Sequence, residues 1–217
     1  MRAAYEDRFP GLFSCPMAAP RIGLVATLVL AALTACGGTK EPAEQPSPKP
    51  ASRYPYTEAD VRFMTDMIGH HAQALAMAAL APRNGANPEI LRLAERITAG
   101  QQDEIGTMER WLRARGKPVP DPHHAMHGHL MPGMLTEAQM QELEQAKGPE
   151  FDRRFLTYMI QHHRGAVAMV KQLYGTPGAA QDDTVFKFAN DVGVDQTTEI
   201  ARMERMLEAL PAGEPAS

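Results

Sequence analysis

Two stretches of the chain pair adjacent histidines with methionines at the same spacing. "MIGHHAQALAM" covers residues 67–77, and "MIQHHRGAVAM" covers residues 159–169. Thioether sulfur is a soft ligand that favours Cu(I), while imidazole binds copper in both oxidation states. The spacing therefore indicates a copper-binding helix in each half of the chain, with the candidate ligands Met67, His70, His71, Met77, Met159, His162, His163 and Met169.

The same residue types are concentrated again between these two stretches. "DPHHAMHGHLMPGM" covers residues 121–134 and contains seven His and Met residues. No packing requirement explains such a density in a loop, so we predict further metal ligands here. The alternative is a polar linker that is rich in His without a metal. The candidate ligands are His123, His124, Met126, His127, His129, Met131 and Met134.

Caps and breakers locate the helices that must position these ligands. Folding begins near Thr57, an N-cap followed by acidic residues, and the first helix runs to about residue 81. Asn87 and Pro88 open a second helix that reaches about residue 115. After a long connection with a short helix at about 136–147, two further helices cover about 150–174 and 183–210.

The helical pattern is duplicated. Phe63, Met67, His70, Ala74 and Met77 fall on one helical face, and Phe155, Met159, His162, Ala166 and Met169 repeat that face. We therefore predict an all-α fold: a four-helix bundle over residues 56–210, made of two duplicated helical hairpins with a long His/Met-rich connection. Such a connection can cross the bundle as in ferritin-like folds, and a plain up-down order is the alternative.

Folding each hairpin about its turn brings polar side chains of its second helix beside the histidines. Gln101 and Glu104 should lie near the first His pair, and Gln196 and Glu199 near the second. A buried imidazole or carboxylate is costly unless it is hydrogen-bonded, paired or bound to a metal. Two hypotheses remain: a polar network that fixes the register of the bundle, and a metal site to which Glu104 and Glu199 also contribute.

The metal that this pattern favours is copper. The di-iron centre of ferritin-like proteins needs Glu three residues before a His, and Met67 and Met159 stand there instead. Zinc, through His and Glu, and iron remain alternatives. Core packing alone also explains the Met stripe, because Met is a common gap-filler.

The first 35 residues have the features of an export signal. The apolar run "IGLVATLVLAAL" has the length of a secretory h-region and is short for a membrane span. The following "LTAC" resembles a bacterial lipobox, which makes Cys36 the predicted site of lipidation, and Met17 is an alternative start. The alternative is an ordinary signal peptide with an incidental Cys. Residues 36–55 form a lipidated Cys and Pro-rich tether, and residues 211–217 a disordered tail.

Composition argues against other classes of function. The net charge is −4, without the basic excess that a nucleic-acid partner requires. Cys15 and Cys36 both precede the predicted bundle, so soft-metal chemistry within it must use His or Met. The sequence has no nucleophile-base constellation and no Gly-rich phosphate loop, so hydrolase and nucleotide-binding functions lack support.

The motifs together resemble a known family. "MIGHHAQALAM", "FDRRFLTYMIQHHRGAVAM", "QQDEIGTMERWL" and "MPGM" are similar to the bacterial domain-of-unknown-function family 305, over about residues 56–210. The resemblance implies an exported, often lipid-anchored, ferritin-like bundle. Some members are implicated in copper binding or tolerance, and the resemblance implies the same for this chain.

The combined hypothesis is a lipid-anchored extracytoplasmic protein that takes part in copper sequestration, transport or tolerance through His and Met ligands. Its partners are then the membrane, through the lipid, and metal ions, while a delivery partner or a homo-oligomer stays open. A redox enzyme of the metal oxidase type, with its metal in the bundle core, is the competing class and needs an open coordination position. A metal-free structural lipoprotein is the third.

Replacing Cys36 by Ala should abolish lipid attachment, because the thiol is the predicted acceptor and stable anchoring needs more than one acyl chain. Metabolic labelling with a fatty acid in the native host, followed by membrane fractionation, measures this. Recovery of unmodified Cys36 in processed, soluble wild-type protein would contradict the assignment.

Overall fold

The computed structural model describes residues 55–121 and 131–211. The predicted export signal, Cys36 and the tether up to residue 54 lie outside the described residues, as do residues 212–217. Most of the candidate ligands in the connection also lie outside them, namely His123, His124, Met126, His127 and His129.

The described residues form five α-helices and no strand, which confirms the all-α prediction. The helices are α1 (Glu58–Ala78), α2 (Pro88–Ala114), α3 (Glu137–Gln145), α4 (Gly148–Gly175) and α5 (Asp183–Ala209). α1 ends earlier than predicted, because a short 3₁₀ helix, Ala81–Asn84, carries the chain into the turn. Within the described ranges, none of the helices is long and apolar enough to cross a membrane.

Side-chain caps start the helices where the sequence predicts them. Thr57 Oγ1 accepts a hydrogen bond from the Asp60 amide at 3.3 Å, and the Asp60 carboxylate accepts one from the Thr57 amide at 2.6 Å. The Asn87 side chain accepts from two amides in the first turn of α2, at 2.9 and 3.0 Å. Pro88 occupies the first position of that helix, where an amide hydrogen would have no partner.

Contacts at the two ends of the bundle fix the order of its helices. At one end, the Ala180 amide donates to Asp60 at the start of α1, at 2.7 Å, and Trp111 near the end of α2 donates to Asp182, the N-cap of α5, at 3.1 Å. At the other end, Asn84 donates to carbonyl oxygens around the end of α3. α1 is therefore antiparallel to both α2 and α4, so the connection from α2 to α4 must run the length of the bundle. This is the crossover of ferritin-like folds rather than the plain up-down order.

The hydrophobic core of the bundle is divided into two apolar clusters. The lower cluster, at the end where α1 begins, includes Phe63, Met67 and Trp111. The upper cluster, at the opposite end, includes Met77 and Phe155. Between them, all four long helices contribute polar side chains to a set that we call the polar layer: His70, His71, Gln101, Glu104, His162, His163, Gln196 and Glu199.

Two glycines let the crossover pass close to α4. A Cβ atom on Gly165 would lie 1.9 Å from the Pro132 carbonyl oxygen. Gly133 has a φ of +77°, and a Cβ atom there would lie 2.5 Å from a carbonyl oxygen of α4. Glycine is required at both positions, because no other residue fits the contact. This close approach places the Pro132 carbonyl beside His70.

Replacing Gly165 by Ala should destabilise the protein by about 1–3 kcal/mol, because the added methyl group clashes with the crossover backbone. Gly193→Ala is the matched control within a helix, since its Cβ would make an ordinary 3.6 Å contact with Val170. Ala should stabilise that position by up to about 1 kcal/mol through its helix propensity. Urea unfolding of both variants measures the difference, and equal changes would contradict the packing described here.

Candidate metal centre

The second histidine of each pair donates to a glutamate on the other helix of its hairpin. His71 Nε2 lies 2.5 Å from Glu104 Oε2, and His163 Nε2 lies 2.7 Å from Glu199 Oε2. We call these two residues the outer histidines. Their side chains have no exposed surface, whereas the glutamate side chains are 19% and 23% exposed. The predicted proximity of each glutamate to its His pair is therefore confirmed.

The first histidine of each pair donates to a backbone carbonyl. His70 Nε2 lies 3.0 Å from the Pro132 oxygen, and His162 Nε2 lies 2.9 Å from the His70 oxygen. We call these the inner histidines, because their rings face each other between α1 and α4, with centroids 3.9 Å apart and planes tilted by 39°. Sequence reasoning missed Pro132, because only the route of the crossover brings its carbonyl to the ring.

Gln73 holds the crossover at the level of the inner histidines. Its side chain donates to the Leu135 carbonyl at 3.0 Å and accepts from the Leu135 amide at 2.7 Å. The side chain is buried, so these two hydrogen bonds are protected from water. The sequence analysis gave Gln73 no role, although its position one turn after His70 on the same helix was an available signal.

The contacts of the four imidazoles fix their tautomers. Carboxylate and carbonyl oxygens only accept hydrogen bonds, so Nε2 carries the proton in every ring. A neutral ring then has its lone pair on Nδ1. Within the described residues, a buried Nδ1 without a hydrogen-bond partner occurs in each of His70, His71, His162 and His163. Buried polar atoms rarely lack partners, so four such nitrogens in one layer point to a ligand.

Burial keeps the inner imidazoles neutral. Desolvation, followed by the electrostatic interaction with the nearby His71 imidazole, lowers the pKa of His70 to about 3, although the Pro132 carbonyl acts in the opposite direction. Desolvation, followed by repulsion from His70 and the outer histidines, lowers the pKa of His162 well below its usual value. Protons therefore do not compete with a metal for these nitrogens at neutral pH.

A cleft between α2 and α5 opens onto the polar layer. It has a volume of about 230 Å³, and its lining includes Gln101, Glu104, Asp195, Gln196 and Glu199. In the part of the chain that the structure describes, both amide atoms of Gln101 and the amide oxygen of Gln196 are buried without a hydrogen-bond partner. Burial, followed by repulsion from neighbouring carboxylates, raises the pKa of Asp195. The glutamates that contact the outer histidines thus face solvent through an acidic cleft.

The four methionines of the repeated stretches lie on both sides of the polar layer. Met67 and Met169 belong to the lower cluster, and Met77 and Met159 belong to the upper cluster. Because α1 and α4 are antiparallel, the Met that precedes one His pair shares a cluster with the Met that follows the other. Each side of the imidazole layer therefore has two buried thioethers. Packing alone also buries Met, so their role as ligands stays a prediction.

Two of the candidate ligands in the connection lie within the described residues. Met134 is buried, at 5% exposure. Met131 is half-buried and lines a cavity of about 220 Å³ together with Phe63 and Met169. Both side chains are covered by the protein instead of projecting into solvent. Whether they bind a metal stays a prediction, as it does for Glu104 and Glu199.

The layer and its surroundings contain two kinds of potential donor. Among residues 55–121 and 131–211, no three His, Cys, Asp or Glu side chains, the four imidazoles included, lie close enough together to hold a metal ion. The imidazoles lie between two pairs of buried methionines. Imidazole with thioether is a softer donor set than imidazole with carboxylate.

Comparisons with known proteins identify a family and similar solved structures. The chain matches the DUF305 family, a domain of unknown function, over residues 60–207. A putative secreted DUF305 protein from Streptomyces coelicolor is 32% identical with a TM-score of 0.62, and the match covers 73% of this chain and 98% of that one. A DUF305 fragment from Deinococcus radiodurans is 33% identical with a TM-score of 0.62, covering 72% of this chain and 99% of that one.

CopM in its Cu(II)-bound form is also similar. It is 30% identical with a TM-score of 0.57, and the match covers 69% of this chain and 95% of that one. CopM has also been solved in Cu(I)-bound, Ag-bound and apo forms that match this chain. No curated protein shows significant similarity to the chain.

Acidification should destabilise the metal-free protein, because the unfolded chain binds protons that the buried inner histidines do not. An unfolded His has a pKa of about 6.5, whereas folded His70 has a pKa of about 3. The contribution of such a group is fully present above the unfolded pKa and is lost as the pH falls through that value. For each pH unit below about 6.5, each inner histidine should then lower the free energy of unfolding by about 1.4 kcal/mol.

Urea unfolding at pH 7, 6 and 5 measures this slope. A double variant, His70→Gln with His162→Gln, is the control and should have a shallower slope by up to about 2.7 kcal/mol per pH unit. The same slope in the wild type and the double variant would contradict the neutral state of the inner histidines.

Proposed function

The chain belongs to the DUF305 family, and on this premise we propose that it is an extracytoplasmic copper-binding protein that sequesters or carries copper in tolerance or transport. The proposed ligands are the four buried imidazoles of the polar layer together with methionine sulfurs on either side of them. The His/Met-rich connection supplies further ligands in this proposal.

The single observation that carries the proposal is the set of four Nδ1 atoms that have no hydrogen-bond partner among the described residues. In metal sites, a ligating imidazole donates its other N–H to a carboxylate or a backbone carbonyl, and both kinds of acceptor occur here. A polar network that only fixed register would pair these nitrogens with donors. Leaving them unpaired in the core costs free energy that no packing advantage explains.

The chemistry of the donors supports copper. The bundle has no cysteine, and the positions that would carry the glutamates of a di-iron site carry Met67 and Met159. Thioethers select Cu(I), and imidazoles bind either oxidation state, so the set can bind copper in both oxidation states. The Cu(II)-bound and Cu(I)-bound forms of CopM provide independent support from a similar protein.

The proposal is for binding rather than catalysis. The four imidazoles have no exposed surface. Metal-centred redox catalysis on an external substrate requires an open coordination position that the substrate can reach. A fully buried set of ligands is better suited to holding an ion than to turning over a molecule.

We further propose that the protein is exported and anchored by a lipid on Cys36, at the outer face of the membrane or elsewhere in the cell envelope. The apolar run before Cys36 and the Pro-rich tether after it support this location. The similar protein from Streptomyces coelicolor, described as a putative secreted protein, supports export. A tether of this kind would leave the bundle free in the extracytoplasmic space.

Copper should stabilise the folded protein, because a ligand that binds only the native state adds RT ln(1 + [L]/Kd), or about 2.7 kcal/mol at a hundredfold excess over Kd. The test uses a background in which the connection lacks ligands, with its His replaced by Asn and its Met by Leu. In that background, Cu(I) added without oxygen should raise the thermal midpoint. A quadruple variant, with Gln for His70, His71, His162 and His163, should show no increase.

A second set of variants keeps the test decisive if the quadruple His variant does not fold. Leu replaces Met at small cost, usually below about 1.5 kcal/mol, and removes only the sulfur. Leu at Met67, Met77, Met159 and Met169 should weaken Cu(I) binding. Leu at Met108 and Met203, which are equally buried but are not candidate ligands, should leave it unchanged. A background protein whose midpoint is indifferent to Cu(I) and Cu(II) would contradict a core copper site.

A further inference from the structure

The outer histidines differ from the inner ones in what holds their rings. His71 and His163 donate to the side chains of Glu104 and Glu199, whereas both inner histidines donate to backbone carbonyls. A substitution can therefore remove the acceptor of an outer ring, while the acceptors of the inner rings belong to the main chain. The protein thus orients two imidazoles through side-chain carboxylates and two through backbone carbonyls.

One carboxylate oxygen of each glutamate accepts a hydrogen bond from Nε2 of its histidine, so this nitrogen cannot bind a metal. Glu104 Oε2 accepts from His71 Nε2 at 2.5 Å, and Glu199 Oε2 accepts from His163 Nε2 at 2.7 Å. A carboxylate that accepts from Nε2 excludes the metal from that nitrogen and leaves the lone pair on Nδ1. It also makes the ring a more basic ligand, because the negative charge stabilises the partial positive charge that a bound metal induces.

The outer histidines and their glutamates differ in burial. The outer imidazoles are fully buried, and the glutamates are partly exposed at the cleft between α2 and α5. The glutamates thus lie between the rings and solvent. Among the described residues, Oε2 of each glutamate is the acceptor for its ring N–H, so a metal that took this oxygen would leave the N–H without its acceptor.

We propose that Glu104 and Glu199 are positioning residues rather than ligands: their carboxylates fix the outer histidines in the Nε2–H tautomer, so that Nδ1 of each ring is the atom that binds copper. This inference rests on the proposed function, because it names the ligand atoms of the same site. The two carboxylates are then no longer ligands, as the sequence predicted, but acceptors that orient the imidazoles. The remaining core donors are nitrogen and sulfur only, which favours Cu(I) over harder cations.

The experiment begins without copper, in the protein whose connection lacks His and Met. Nitrogen-15 NMR of labelled imidazoles distinguishes a protonated nitrogen from one with a lone pair. All four core rings should show protonated Nε2 and unprotonated Nδ1. In Glu104→Ala with Glu199→Ala, the outer rings should lose this single tautomer, and the inner rings should keep it. Glu104→Gln with Glu199→Gln should preserve it, because the amide oxygen still accepts.

Cu(I), which is diamagnetic, is then added without oxygen, and its affinity is measured against a competing chelator. The Nδ1 resonances of the outer rings should move on binding, and those of Nε2 should keep their attached proton. The double Ala variant should bind Cu(I) about ten- to hundredfold more weakly, as is usual for loss of such orienting groups. The double Gln variant should fall between it and the wild type. Asp195→Asn removes a carboxylate from the same cleft that accepts from none of the four histidines, and should leave the tautomers unchanged.

The outcomes separate this inference from the proposed function. A protein that binds no Cu(I) overturns the proposed function and the ligand assignment together. Cu(I) binding that displaces the Nε2 proton of the outer rings overturns only the present inference. Outer rings that keep one tautomer in the double Ala variant, or an affinity that does not change there, overturn the positioning role.

Discussion

The burial of four imidazoles in the middle of a helical bundle is the constraint on which the rest of the structure depends. Each buried ring needs an acceptor for its N–H, and most carbonyls of a helix are already engaged within it. Glu104 and Glu199 supply two acceptors, the His70 carbonyl supplies a third, and Pro132 supplies the last. The crossover, and the glycines that let it approach α4, thus bring His70 the acceptor for its ring N–H.

Local patterns in the sequence predicted most of the fold and part of the candidate site. Thr57 and Asn87 marked helix starts, because capping depends on neighbouring residues alone. Folding each hairpin about its turn placed Glu104 and Glu199 near the histidines to within about a turn or two, because helix rise is regular. Pro132 could not be found in this way. Its contact depends on where a long connection crosses the bundle, which no local period encodes.

The polar layer makes the core less favourable for folding. It interrupts the hydrophobic core, so the lower and upper clusters do not merge into one. It also contains buried nitrogen and amide atoms that nothing in the described part of the chain satisfies. Exceptions to the rules of core packing usually occur where a protein performs its function. Here they coincide with the repeated His-His/Met motif. The tautomers add what the sequence could not reveal, namely which nitrogen of each ring remains available.

The composition of the two apolar clusters bears on whether one hairpin can fold alone. The lower and upper clusters each draw residues from both hairpins, and so does the polar layer. A single hairpin therefore presents only part of every buried surface. Because both hairpins belong to one chain, they meet without the entropic cost of bringing two separate molecules together.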